Sequence, residues 1–363
     1  MNEEMWHSTL VEFFNNYTHS VRNIFGRPSR KTVTTQLSET NRSITMTNRS
    51  IVLAGAGVFG TALAQRLSWN PGNSITLYTI EDDVIDDINT NHQNAKYFPG
   101  RHIHTDIVAT GDISCTYQAD VLFLAIPSKA IEGFCQEIKP HTREDICVIN
   151  LSKGLADDGS FLVDSIPFTH TGSMKGPTFA VEVINGAPSG MTFGGSREDF
   201  QFMQQVMHET GITLDHSTDI RAVEFLSVLK NMYAIAIGIV SGRYNSPNVD
   251  FLLMTKAVNE MRRMLQLYDC DENTIFTYCG LGDLGLTALN DLSRNRTLGL
   301  LIGKGFSNDP KSSTVIEGLR TIRLLGELVR SRQIEQGFPV LNALYELLYE
   351  KASLNDYIVT VLK

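Results

Sequence analysis

Five places in this chain of 363 residues set groups capable of chemistry in otherwise apolar or glycine-rich surroundings. They are Lys153 after an apolar run, Gly176-Pro177-Thr178-Phe179-Ala180, Lys230-Asn231, Gly280-Leu281-Gly282-Asp283-Leu284 running on to Thr287, and Ser293-Arg294-Asn295-Arg296. Lys230 is the most telling. Val228-Leu229 before it and Met232 to Ala236 after it make a helix apolar nearly all round, where an ammonium is costly unless paired or used. A lysine held there gives up its proton readily and can act as a general base. The competing account has it snorkelling to solvent on its aliphatic stem, with Asn231 as an ordinary polar residue on the helix face.

The elements that must position these groups begin at Ile51, where Ile-Val-Leu-Ala runs into Gly55-Ala56-Gly57-Val58-Phe59-Gly60 and then Thr61-Ala62-Leu63-Ala64. A buried strand, a glycine turn and a small-residue helix in that order predict a dinucleotide site. Gly55 allows the tight turn, Gly57 lets the backbone approach a pyrophosphate, and Gly60 lets the helix pack closely on its strand. The helix start offers free N–H groups and a positive dipole end to the phosphates. A second apolar run, Ser74 to Ile80, ends at Glu81, about twenty residues past the last glycine, where an acid is expected for the ribose hydroxyls. Glu81 and Asp82 would repel a 2′-phosphate and no arginine stands beside them, so NAD is favoured over NADP. Glu81 could equally be a solvated charge at a strand end.

Length allows two ordinary domains, and 42% hydrophobic with 20% charged residues is a globular composition. A net charge of −9 argues against nucleic acid or an anionic membrane as partner. The five cysteines are odd in number and form no C-x-x-C pair, which predicts free thiols in a reducing, cytoplasmic setting. His102 and His104 would share one face of a strand, but without a carboxylate or cysteine pattern they read as surface residues, and no metal site is assigned. No run approaches the roughly 18 consecutive apolar residues of a membrane span.

Residues 1–48 form an extension the nucleotide fold does not need. Trp6, Leu10, Phe13, Phe14, Tyr17, Val21, Ile24 and Phe25 recur at helical spacing, then Ser29 to Ser50 reads as a linker. The helix is expected to pack on the body of the protein, ahead of a peripheral membrane or partner contact through residues 1–28; a cleaved targeting peptide ranks last because Glu3, Glu4 and Glu12 break its pattern. Residues 49–218 alternate strands and helices, implying a parallel, doubly wound sheet. From residue 219 to 363 long helical segments, such as Ala222 to Val240 and Phe251 to Tyr268, predict an all-α domain with the active site in the cleft between the two.

The ordered set of motifs resembles the NAD(P)-dependent glycerol-3-phosphate dehydrogenase family, especially its bacterial form, from Ile51 to the C-terminus. To the fingerprint and the five places it adds Tyr97-Phe98-Pro99-Gly100, Ala125-Ile126-Pro127-Ser128 and Val315-Ile316-Glu317-Gly318. The resemblance implies reversible hydride transfer between C2 of glycerol 3-phosphate and nicotinamide, in a homodimer. Lys230 would then be the base, Lys153 would polarise the C2 oxygen and depress its neighbour's pKa, and Asp283 would orient the lysines with Thr287 in the network. Ser293, Arg294 and Asn295 would bind the substrate phosphate, with Arg294 also near the pyrophosphate; a Ser-capped helix start is a compatible second role for them. Val58, Phe59, Phe98, Pro127, Lys153, Ala180, Val315 and Glu317 match positions near the cofactor. The chain departs from the bacterial pattern at Val58 and Phe59, at Ile80-Glu81, and around Phe225 to Val228 and Arg243 to Pro247. Those departures keep a different small phosphorylated alcohol, or a non-catalytic NAD sensor, as alternatives.

Overall fold

A computed structural model describes residues 48–156, 159–306 and 317–363. The expected N-terminal helix, the expected linker up to residue 47, and Val315 of the cofactor set lie outside these residues; Arg49 and Ser50, read as the end of the linker, instead open the first strand.

The strands β1 (Arg49–Ala54), β2 (Asn73–Tyr78), β3 (Val108–Thr110), β4 (Val121–Leu124), β5 (Cys147–Asn150), β6 (His170–Lys175), β7 (Ser189–Gly194) and β8 (Ile212–Ser217) form one sheet. Their order is β3-β2-β1-β4-β5-β6-β7-β8. Period-two alternation in β1 shows why both faces are covered. Ile51 and Leu53 join a core under the fingerprint helix Val58–Leu67, while Val52 and Ala54 join the opposite core with Ile131, Cys135 and Ile138 of the helix Ser128–Ile138.

The expected sheet was parallel throughout, and it is so except between β6 and β7, which pair antiparallel. The connection between them holds only the short helix Ala180–Ile184, laid against the fingerprint helix, before the chain turns back at Gly186 with φ +85°. Arg66, 1% exposed, fixes that return by donating Nη1 to the carbonyls of Val183 (3.3 Å) and Ala187 (3.2 Å). His102 and His104 are not in a named strand: His102 makes an isolated bridge to Gln93, and His104 sits in the following loop.

The helical part is built around Ile220–Tyr244, a 25-residue helix buried at every position from Ala222 to Ser241. A helix apolar on all sides must be wrapped, and this one packs on the helices Pro247–Leu267, Asp283–Leu289, Arg294–Gly303 and Glu317–Ser331, and on β6 and β7. The Asp219 carboxylate accepts the Ala222 N–H at 2.9 Å and so caps its start. By length and a mean hydropathy of 1.6 it could cross a bilayer although polar residues interrupt it, yet its apolar window is wholly inside the protein. Its contact with Arg294–Gly303 is backbone to backbone. A Cβ at Gly238 would lie 2.5 Å from the Arg296 carbonyl oxygen, and one at Gly299 2.3 Å from that of Ile235. Gly242 and Gly303 meet the same two helices one turn further on, at 2.6 and 2.1 Å.

Candidate active site

The carboxyl ends of β1, β4 and β5 open on a cleft of about 930 Å³. Gly55, Gly57, Val58, Phe59, Glu81, Pro127, Lys153, Ala180 and Glu317 all line it. The three fingerprint glycines do different work. Gly55 has φ +109°, and a Cβ there would sit 2.5 Å from the Ala125 carbonyl oxygen; one at Gly60 would sit 1.9 Å from that of Gly55. At Gly57 a Cβ would meet nothing within 4 Å. Gly57 is also the N-cap of the fingerprint helix and has no side-chain cap, so the first-turn N–H groups face that open space. The cradle fits a dinucleotide pyrophosphate.

Glu81, the N-cap of the helix Asp82–Asn91, stands at the edge of the cleft and is held from both sides. Lys96 Nζ donates to one carboxylate oxygen at 2.6 Å and the Tyr97 hydroxyl to the other at 2.9 Å. These bonds, from Lys96 first, hold its carboxyl below the usual range. Tyr97 lines the cleft; Phe98, singled out by motif, is 7% exposed and packs in the core under the fingerprint helix.

Lys153, on the turn after β5, leads from this cleft to the groups that can move a proton. Its ammonium lies beside that of Lys230, which is ion-paired with Asp283 Oδ1, both side chains being at most 3% exposed. Burial is the main cause that pushes Lys230 down to about 7; Lys153 acts in the same direction and Asp283 against it. Asp283 starts the helix Asp283–Leu289 directly after a π-turn over Tyr278–Gly282, a distortion common at functional sites. One turn on, Thr287 donates its hydroxyl to Asp283 Oδ1 at 3.4 Å. Asp283 Oδ2 is buried with no hydrogen-bond partner among the described residues, an acceptor available to a ligand hydroxyl.

A second network joins the long helix to the phosphate-binding candidates. Asn231 donates to Glu317 Oε2 at 3.2 Å and accepts from Asn295 Nδ2 at 3.0 Å. Ser293 caps the helix Arg294–Gly303 by accepting the Arg296 N–H, and Arg294 is its exposed first residue, outside the described cleft. Lys230, Asp283, Thr287 and Lys153 are therefore gathered at one point, of which only Lys153 lines the cleft, and Asn295 is tied to it through Asn231, while Arg294 stands apart, exposed and outside the cleft lining.

Motif reading overlooked a buried layer behind Lys153. Lys175 Nζ donates to the Asn150 carbonyl at 2.8 Å, and Asn150 donates through its side chain to Glu224. The signal that exposed Lys230, a charge inside an apolar helix, was equally present at Glu224. Lys153, Lys175 and Lys230 thus stand near Asp283 and Glu224, and burial pushes Lys175 down to about 8 and the Glu224 carboxyl up.

Comparison with known proteins bears on the same residues. Sequence profiles of the NAD-dependent glycerol-3-phosphate dehydrogenase N-terminus and C-terminus match residues 50–201 and 219–359. The glycerol-3-phosphate dehydrogenase [NAD(P)+] of Methanothermobacter thermautotrophicus is 34% identical over 320 residues, 85% of this chain and 96% of the relative. That of Parvibaculum lavamentivorans is 30% identical, covering 88% and 98%. Among solved structures, glycerol-3-phosphate dehydrogenase from Coxiella burnetii superposes with a TM-score of 0.75 at 25% identity, over 87% of this chain and 99% of its own.

Proposed function

The chain belongs to the NAD-dependent glycerol-3-phosphate dehydrogenase family, and on that premise we propose that it interconverts glycerol 3-phosphate and dihydroxyacetone phosphate with Lys230 as the proton-transferring base. It is an NAD(P)-linked oxidoreductase, and the acid at Glu81 supports NAD as the preferred coenzyme. Bound NAD supplies the acceptor for hydride from C2.

The chain's own residues do the rest. Lys153 polarises the C2 oxygen from the floor of the cleft. Lys230, pushed down to about 7 by burial so that its neutral form is accessible, takes the C2 hydroxyl proton during oxidation and returns it to the carbonyl during reduction. Asp283 stabilises the ammonium formed and, with Thr287, keeps it aimed; its unpartnered oxygen accepts from a substrate hydroxyl. Ser293, Arg294 and Asn295 hold the phosphate, where a guanidinium fork suits the oxygens better than a point charge. In this reading residues 49–218 serve the coenzyme and 219–363 the substrate. A homodimer in the cytoplasm completes the reading, supported by family membership and by the five unpaired cysteines.

The observation that carries this reading is the buried Lys230–Asp283 pair, which does not itself line the dinucleotide cleft but has Lys153, which does, beside it. Oxidation of NADH and of NADPH by dihydroxyacetone phosphate, run on wild type and Lys230→Ala, tests it. Wild type should turn over, faster with NADH, and the variant should lose about 10²–10⁴-fold in kcat while still binding NADH. Wild type that binds NADH without turnover refutes the substrate, and an active variant refutes the base.

A further inference from the structure

Behind the cleft, between the sheet and the long helix, lies a set of polar groups for which the proton-transfer scheme has no use. Lys175 ends β6 and is 2% exposed; it does not line the cleft. Its ammonium donates to the carbonyl oxygen of Asn150, which ends β5 and is itself fully buried, and Ser173 Oγ donates to the same oxygen at 3.3 Å. The Asn150 side chain reaches Glu224 of the long helix, whose other oxygen accepts the Val163 N–H at 3.1 Å. The ammonium has a neutral carbonyl as its hydrogen-bond partner, and burial pushes Lys175 down to about 8 despite the attraction of Glu224; apolar side chains of similar volume commonly replace such charges without loss of stability. The lysine is therefore expensive as architecture alone.

Its location suggests what it does. Asn150 stands three residues before Lys153, and Asn150 Oδ1 accepts the Ser152 N–H at 2.9 Å, so the group that holds Asn150 also holds the turn bearing Lys153. The charged and titratable groups facing Lys175 come from every element around it: Glu224 from the long helix, Lys153 from the turn, and Cys279 and Asp283 from the π-turn and the helix it starts. Burial pushes the Cys279 thiol up to about 12, so it carries no charge at neutral pH.

We propose that Lys175 is a positioning residue for proton transfer, pinned on the Asn150 carbonyl and balanced by Glu224, which fixes the Lys153 turn and sets the field at the Lys230–Asp283 pair. The inference rests on Lys230 being the base. The ammonium of Lys175 opposes protonation of the neighbouring lysines and favours the Asp283 carboxylate, whereas Glu224 acts in the opposite sense. Loss of either charge thus moves Lys230 in a predictable direction, which simple loosening of the fold would not do.

Two readings on the whole protein test it. One is the titration of Lys230 in the coenzyme-free enzyme, followed by NMR of isotope-labelled lysine side chains and assigned by its loss in Lys230→Met. The other is the pH profile of kcat/KM for dihydroxyacetone phosphate reduction. Lys175→Met should raise both midpoints by about half a unit or more, and Glu224→Gln should lower them, as expected for removal of one buried charge of either sign. Midpoints that stay put, or move the same way in both variants, overturn the proposal. If Lys175→Met does not fold, Glu224→Gln decides alone, a downward shift supporting the proposal and no shift overturning it. A profile unaffected by Lys230→Met refutes the base reading and this inference with it, whereas a Lys230-dependent profile with unmoved midpoints refutes the role of Lys175 only.

Discussion

Alanine at Gly57 and alanine at Gly60 should separate binding from folding within one turn of chain. Gly57 has φ −73°, ordinary for any residue, and an added methyl would meet no protein atom within 4 Å. The folded state should accept it, and the stiffer unfolded chain should leave stability unchanged or raised by about 0.4–1 kcal/mol. The same methyl occupies the space into which the pyrophosphate must come, so NADH affinity should fall at least about tenfold, or about 1.4 kcal/mol. At Gly60 the methyl would stand 1.9 Å from the Gly55 carbonyl oxygen, where real contacts begin at 3.0 Å, so the helix start must move by more than about 1 Å, at a typical overpacking cost of about 1–3 kcal/mol. Calorimetric titration with NADH and urea melts on the same preparations read both quantities. Wild-type affinity in Gly57→Ala, or an equal loss of stability in the two variants, would refute the assignment of the cradle.

The pH dependence has a sign set by burial of Lys230. The neutral form prevails above about 7, so kcat/KM for glycerol 3-phosphate oxidation should rise with pH through that region and fall for the reverse reduction, as steady-state profiles in each direction will read. In stability, the unfolded chain binds a proton that the folded chain does not between about 7 and the ordinary 10.5; this group's contribution therefore rises with pH across that window, and urea melts of Lys230→Met should lack the rise. Glu81→Ala should weaken NADH about tenfold and raise the NADPH-to-NADH ratio of kcat/KM, because it removes an acceptor for the ribose and leaves Lys96 only its longer contact with Asp83; an unchanged ratio contradicts the role given to the acid.

Much of the coenzyme half was legible because its information is local. The glycines of the fingerprint act on residues a few places away or on the next strand, and β1, β4 and β5 announce themselves as short apolar runs. Lys230 was legible for a different reason: a charge in an apolar helix is conspicuous wherever the helix packs. Lys175 was not, since a lysine closing the strand His-Thr-Gly-Ser-Met-Lys reads as a solvated end, and only the long helix laid across β6 and β7 buries it. The same holds for the reversal at β7, which depends on Arg66 holding carbonyls more than a hundred residues away in sequence, and for the Asn231–Asn295–Glu317 link, which joins three helices. Tyr97 and Phe98 differ by one step in a loop without periodicity, so nothing in the sequence says which faces the cleft.

The glycine seam between Ile220–Tyr244 and Arg294–Gly303 acts as a ruler. One helix carries Lys230 and the other begins at Ser293-Arg294-Asn295, so on the proposed reading the span from base to phosphate-binding residues is set by two backbones in contact. Side chains in the cleft can retune affinity, but a longer or shorter ligand needs a new spacing of the helices, and any Cβ at Gly238, Gly242, Gly299 or Gly303 forces both apart together. Ligand length should therefore be the property of this protein most resistant to change by single substitutions around the site.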